Sequence, residues 1–395
     1  MKIKIDYGKK GLVIDVPDKN LSKILSMRNT RPVDNPEKEI EKSLEMPVSS
    51  PPLRLLAKGK SNAVILISDI TRPVPNRILL PPILKTLENS GIKRENITIL
   101  IATGIHRPNL GKELISMVGE FIYKNYKILN HYSKKNDELT FIGNTISGIP
   151  VYINSTYLNS ELKIATGFIE PHLMAGYSGG RKSICPGICG LETVKYVHGP
   201  EILEHPDCRE GILDGNPYHK EAENIMKMAG LDFIVNVSLN EEREITGVFS
   251  GEPVEAHKKG AQFVEKHVSS YIKEKVDVVI TTNGGYPLDL NLYQCCKGAT
   301  GALSVVKKGG TIIVTAECSE GLGSPEFAEL FRNENNPEIF MNKINNPDFF
   351  VVDQWGLEEF IRVIKYADLY IVTDGISKED KNKSFLDFSD SVDEL

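Results

Sequence analysis

What most constrains this chain is a set of short apolar runs without alternation: AVILIS (63–68), NITILIAT (96–103), LKIAT (162–166) and FIVNVSL (233–239). A run of that length with no polar face suits a strand covered on both sides, as in parallel sheets with helices on each face. Helical stretches fall around 76–90, near 191–197 and over about 253–268. The alternation resumes with VDVVITT (276–282), a helix near 291–307, TIIVTA (311–316), helices across about 325–366 and LYIVT (369–373). The predicted class is therefore α/β, with two domains, each a mainly parallel sheet flanked by helices. The 395 residues suffice for two cores. The boundary is placed near 270, giving an N-terminal domain over 1–270 and a C-terminal one over 271–395. The start, KIKID to LVIDV, reads as a hairpin, and 16–60 as a loosely organised excursion with a helix or two. EEREITGVFSGEP reads as a polar connection. The acidic tail SFLDFSDSVDEL is expected to return to the first domain or to fray.

A net charge of −6 disfavours general binding to nucleic acid or to an anionic membrane. No apolar stretch approaches the roughly 20 residues of a membrane span, and no apolar core follows MKIKIDYGKK as in a secretory signal. A cytoplasmic protein is expected. The cysteines (185, 189, 208, 295, 296, 318) make no zinc-like pair of pairs and are expected to be reduced, non-ligating thiols.

Three of the apolar runs end in polar residues. The first leads into Asp69, Thr71 and Arg72, the second into His106, the third into His172. Ligands of open parallel sheets sit at the carboxyl ends of strands, so these side chains are candidates for one crevice. Two bases titrating near neutrality suit a reaction that handles a proton on either face of one carbon or its hydroxyl. His131, His257 and His267 lie in polar or lysine-rich stretches and are assigned to the surface. The loop EPHLMAGYSGGRKSICPGICG (170–190) is close to a phosphate-binding P-loop, but Arg181 stands where the second glycine belongs. Gly179, Gly180, Arg181 and Lys182 still form a reasonable anion cradle, and a surface loop with two solvated cations is the plain alternative. His198, after a short helix, could ligate a metal. Tyr293, Gln294 and Lys297 at a helix start could hold a carboxylate, or could simply be the polar face of an amphipathic helix.

Together SDITRP (68–73), TGIHRP (103–108), EPHLMAGYSGGRKSICPGI (170–188), the His198 region and GGYPLDLNLYQCCKGA (284–299) resemble the lactate racemase family, over roughly residues 1–375. The resemblance implies a two-domain isomerase that racemises or epimerises small 2-hydroxy acids, with the active site in the cleft between the domains. It implies proton-coupled hydride transfer to a nickel-pincer nucleotide, a pyridinium mononucleotide carrying two thio-acid arms. Lys182 would attach this cofactor covalently, and His198 would ligate nickel. His106 and His172 would be the alternating bases. Asp69, Thr71 and Arg72 would face cofactor and substrate, and Tyr293, Gln294, Lys297 and Trp355 the substrate. Cofactor-making enzymes would be partners. Leu173 and Met174, after His172, would line the substrate's surroundings. A degenerate P-loop phosphohydrolase and a non-catalytic nucleotide- or organic-acid-binding protein are the alternatives from other classes.

Overall fold

The apolar runs are strands in the computed structural model, which describes residues 1–346 and 349–395. In chain order the strands are β1 (Lys2–Ile5), β2 (Leu12–Asp15), β3 (Ala63–Ser68), β4 (Ile97–Ala102), β5 (Lys127–Asn130), β6 (Leu139–Asn144), β7 (Pro150–Asn154), β8 (Leu162–Phe168), β9 (Pro171–His172), β10 (Gly176–Tyr177), β11 (Phe233–Leu239), β12 (Ile245–Gly251), β13 (Val276–Thr282), β14 (Val306–Thr315), β15 (Asp368–Val372) and β16 (Asp387–Ser389). The chain divides into two units. One is Met27–Ser269; the other joins Met1–Ser26 to Ser270–Leu395.

The unit Met27–Ser269 is built on a six-stranded sheet in the order β12-β11-β8-β3-β4-β5. All neighbours are parallel except the β11–β12 hairpin. Ile65, Ile67, Ile99, Ile101, Ile164, Val235 and Val237 are fully buried in its core. Burying each such side chain contributes about 1.5–3 kcal/mol. The segment read as a polar connection contains β12. β12 is largely buried, but Thr246, Gly247, Ser250 and Gly251 interrupt its apolar run, so ITGVFSG does not stand out as a strand. The excursion over 16–60 holds the helices Pro36–Glu45 and Leu53–Ala57, the first capped by Asn35.

The other unit carries a four-stranded parallel sheet, β13-β14-β15-β16. Two features add to the expectation above. In the tail, Asp387–Ser389 adds β16 in parallel beside β15, and Val392–Glu394 lies against β2. The β1–β2 hairpin also belongs to this unit. Asp289, 1% exposed, explains the second point. One of its carboxyl oxygens accepts hydrogen bonds from the backbone N–H of Gly8 at 2.7 Å and of Glu317 at 3.0 Å. Tyr286 N–H donates to Gly8 O at 2.9 Å, and Tyr7 Oη to Asp374 Oδ2 at 2.7 Å. A hairpin leaves unpaired backbone groups, and these found partners around 286–317 and 374.

Asp289→Ala is expected to cost about 2–4 kcal/mol, because hydrogen bonds to a carboxylate are the strong ones and two backbone donors lose their acceptor. Urea unfolding measures this. An unchanged midpoint would show that the clamp is dispensable.

Candidate active site

Strands β8, β3 and β4 are adjacent and parallel, so their carboxyl ends lie side by side. The residues that follow each of them carry the site.

After β3, Asp69 is buried and accepts from Thr71 twice on Oδ1, from its hydroxyl at 2.6 Å and its N–H at 3.0 Å. The other carboxyl oxygen is 2.6 Å from His106 Nδ1. Burial alone would raise the pKa of Asp69. The charge and hydrogen bond of His106, with Thr71 and the charge of Arg72, outweigh that and hold it below the ordinary aspartate value. An ionised Asp69 can only accept, so Nδ1 of His106 carries a proton and Nε2 of the neutral ring is a lone pair. The His106 side chain is 28% exposed, so the ring is reachable. Arg72 Nη1 donates to Thr71 O at 3.1 Å, which keeps the guanidinium beside this group.

After β8, the chain makes a two-residue ladder in which His172 pairs with Gly176. Gly176 has φ +73, and a Cβ there would lie 2.0 Å from Ile212 O, so only glycine fits. The turn aims the N–H groups of Met174 and Ala175 at His172 Nδ1, at 3.2 and 3.3 Å. That nitrogen is therefore an acceptor and the neutral ring carries its proton on Nε2. The two histidines thus present opposite states at Nε2: that of His106 accepts and that of His172 donates.

The Gly-Gly-Arg-Lys stretch enters a 3₁₀ turn, Gly180–Ser183, and the next α-helix starts only at Leu191. A P-loop requires the helix to begin at its lysine, so the phosphohydrolase geometry is missing. The glycines answer to the protein itself. Gly180 N–H donates to Asn236 Oδ1 at 2.8 Å, and a Cβ on Gly179 would meet that oxygen at 2.6 Å. Arg181 is not a solvated cation. It is buried, donates to Ala175 O at 2.6 Å, and lies 2.8 Å from His257 Nε2. Burial pushes its pKa down to about 10. It braces the loop that carries His172, while its Nε has no hydrogen-bond partner.

Lys182 points elsewhere. Its Nζ lies 4.7 Å over the Tyr218 ring and 3.4 Å from the Tyr218 hydroxyl. The same hydroxyl is 3.2 Å from His198 Nε2. His198 caps the helix Leu191–Val197, and its Nδ1 lies 3.1 Å from Val194 O, which can only accept. Nδ1 therefore carries the proton and Nε2 the lone pair, the tautomer a metal ligand needs. Burial first, then the charges of Lys182 and His106, lower its pKa to about 3, against the pull of the Val194 carbonyl. Among the described residues no group of three or more His, Cys, Asp or Glu side chains could hold a metal ion. A metal on His198 would take its remaining donors from another source.

In the other unit, the helix Leu292–Ala302 is capped by Asn291, which accepts from Gln294 N–H at 3.2 Å. Its first turns carry Tyr293, Gln294 and Lys297. Lys297 Nζ donates to Gln294 Oε1, and Trp355 Nε1 donates to Tyr293 Oη at 2.6 Å. The four substrate candidates therefore form two hydrogen-bonded pairs on neighbouring helices, since Trp355 lies in Gln354–Ile364.

Two surface assignments fail. His131 is 1% exposed, with Nε2 2.9 Å from Cys189 O, and burial lowers its pKa to about 4. His257 is 3% exposed, against Arg181. Polar neighbours in sequence say little about a histidine whose own ring finds backbone partners. Tyr218, in the helix Pro217–Ala229, was missed. The Asn216-Pro217 helix start was a visible signal, but nothing marked the tyrosine. Asn236 was legible as one of two polar residues inside FIVNVSL, with Ser238.

Two histidines that follow the strands on either side of β3, one with an accepting Nε2 and one with a donating Nε2, suit a proton-handling enzyme. The comparisons with known proteins say which kind. Residues 7–211 match the model of the lactate racemase N-terminal domain, and 272–395 that of the lactate racemase C-terminal domain. The lactate racemase of Thermoanaerobacterium thermosaccharolyticum is 39% identical over 381 residues, covering 95% of this chain and 89% of its own. That of Lactiplantibacillus plantarum is 38% identical over 396 residues, covering 99% and 93%. The solved lactate racemase apoprotein from T. thermosaccharolyticum superposes with a TM-score of 0.91 at 37% identity, over 100% of this chain and 93% of its own. A Thermotoga maritima protein at 19% identity, covering 93% of each chain with a TM-score of 0.74, shares the fold. The chain belongs to the lactate racemase family and is an isomerase of the racemase kind. Among the described residues no helix is long and apolar enough to cross a membrane.

Proposed function

We propose that the protein interconverts the enantiomers of lactate, or of a close 2-hydroxy acid, with His106 and His172 as the alternating proton carriers on the substrate hydroxyl. The opposite states of their Nε2 atoms carry this reading: one is set to accept the hydroxyl proton and the other to hydrogen-bond the substrate oxygen, and the two exchange roles as the proton passes. The hydrogen on the carbinol carbon of a 2-hydroxy acid is not acidic, because the resulting anion would sit beside a carboxylate. Proton transfer alone therefore does not suffice, and a nickel-pincer nucleotide is the cofactor the family resemblance implies. Its fit rests on this chain's donor atoms. His198 offers a proton-free Nε2, and Lys182 offers Nζ on the same tyrosine. Lys182 would attach the nucleotide, His198 would ligate nickel, and Thr71, Gly179, Gly180 and the unpartnered Nε of Arg181 would face the remainder. When bound, this group supplies an acceptor for the carbinol hydride.

The protein's share is positioning and proton control. Asp69 orients His106 and stabilises it once it is protonated. The turn amides keep His172 aimed and its Nδ1 occupied. Arg72 stabilises negative charge on the substrate. Gln294 and Lys297, with the Tyr293–Trp355 pair, are the proposed holders of its carboxylate, and Leu173 and Met174 lie where they can select its side chain. Enzymes that build the nucleotide are the implied partners, and the cytoplasm the implied location.

Protein produced together with such enzymes is expected to convert pure L-lactate into an equal mixture of enantiomers while retaining deuterium placed on the carbinol carbon. Chiral chromatography with mass detection reads both. Adduct-bearing protein that leaves L-lactate and related 2-hydroxy acids unchanged would sink the proposal.

A further inference from the structure

Resting on the assignment of His106 as a proton carrier above, we infer that Asn109 is a positioning residue that holds Asp69 and His106 in register by tying together the ends of three strands. Asn109 follows His106 by three residues in the loop after β4, and it is fully buried. Pro108 between them fixes one backbone torsion of that short span. Asn109 Oδ1 accepts from Ile70 N–H at 3.3 Å, the amide that joins Asp69 to the turn after β3. Asn109 Nδ2 donates to Glu113 Oε1 at 2.5 Å, in the first turn of the helix Gly111–Val118. The backbone of Asn109 is held as well. Its N–H donates to Asn130 Oδ1 at 2.8 Å, and Asn130 Nδ2 donates to its carbonyl at 3.1 Å. Asn130 is the last residue of β5, the strand beside β4.

The amide of Asn109 has one orientation. A backbone N–H only donates and a carboxylate only accepts, so Oδ1 faces Ile70 and Nδ2 faces Glu113. Burial and the charge of Asp69 push the pKa of Glu113 up, but Arg107 and Asn109 outweigh them and hold it below the ordinary glutamate value. The 2.6 Å contact of Asp69 with His106 joins two separate loops, and Thr71 grips only the other carboxyl oxygen from within the Asp69 turn. Asn109 spans from the His106 loop to that turn. Without it the peptide after Asp69 can tilt and carry the carboxylate away from Nδ1, the nitrogen whose proton it fixes. A misplacement of about 1 Å can cost on the order of 100-fold in rate.

The experiment compares wild type, H106A, N109A, N109D and N109D/E113Q, each co-produced with the cofactor-making enzymes and matched for loading by intact mass. Half-reactions are followed from pure D- and pure L-lactate, and nitrogen-15 spectra of cofactor-free protein read the His106 tautomer. N109A is expected to slow interconversion roughly 10–100-fold. The loss should fall on the half-reaction that H106A abolishes and leave the opposite one within about twofold of wild type, with mixed tautomers at His106. N109D sets a second carboxylate against Glu113 and should lose as much. E113Q in the same chain supplies an amide that donates back to it, and should recover most of that loss. A loss shared equally by both half-reactions, or a rate within about twofold of wild type with an unmixed tautomer, would overturn the role of Asn109 alone. H106A that keeps both half-reactions would overturn the assignment of His106 and this inference with it. If N109A fails to fold, N109D with and without E113Q decides: a one-sided loss that E113Q relieves supports the inference, and a loss that it does not relieve overturns it.

Discussion

His106→Ala and His172→Ala, each loaded with cofactor, are expected to lose enantiomer interconversion by about two to four orders of magnitude, the usual contribution of a true general base. The losses should be mirror images. Each turnover needs both faces of the substrate, so neither variant can racemise, but each retains one histidine that, once its Nε2 is unprotonated, can still take the hydroxyl proton of the enantiomer it serves. Feeding pure D- or L-lactate deuterated at the carbinol carbon, and following cofactor reduction spectroscopically, distinguishes the two variants. Asp69→Asn should repeat most of the His106→Ala loss. An amide donating to Nδ1 drives the ring proton onto Nε2, where Asp69 now leaves a lone pair. Equal, modest losses on both enantiomers in both histidine variants would leave these residues as binding or structural groups.

Lys182→Ala and His198→Ala are expected to separate two events that a single activity assay merges. Lys182→Ala should carry no nucleotide adduct at all. His198→Ala should retain the adduct and release its nickel, because among the described residues no cluster of His, Cys, Asp or Glu stands ready to replace the lost imidazole. Intact mass, metal analysis and circular dichroism on the same samples check both. Full nickel occupancy in folded His198→Ala protein would remove His198 from the metal site, and an unmodified Lys182 in active, nickel-containing wild type would remove the covalent link.

The doubly covered strands were the legible part of the fold, because a run such as AVILIS has no half-polar strand or amphipathic helix to compete with it. The edge was not legible. ITGVFSG and LDFSD lie at the margins of their sheets, and their polar and glycine residues make their patterns blur into those of connections. In the candidate site, position alone singled out Asp69, His106 and His172, and the structure places each of them after one of the parallel strands. What could not be found was the wiring. The tautomers of His106 and His172 depend on a carboxylate 37 residues away in the chain and on two turn amides. Tyr218 and His257 reach Lys182 and Arg181 from helices that follow at a distance, with no local pattern that announces a contact.

The hairpin clamped by Asp289 has a consequence for how the protein is made. The first 26 residues complete a sheet unit whose other part, Ser270–Leu395, is synthesised last. Translation at about 5–20 residues per second leaves that hairpin without its partner for on the order of ten seconds or more. During that interval Met27–Ser269 can close its own sheet on the ribosome, since all six of its strands come from one continuous stretch. Val13, 59% exposed even in the finished protein, and the open edges of β1 and β2 remain available to other chains until Asp289 emerges. Premature release of the nascent chain should therefore yield a well-folded Met27–Ser269 that trails an unmatched, association-prone leader. Synthesis of residues 27–269 is the interval in which the hairpin lacks its partner.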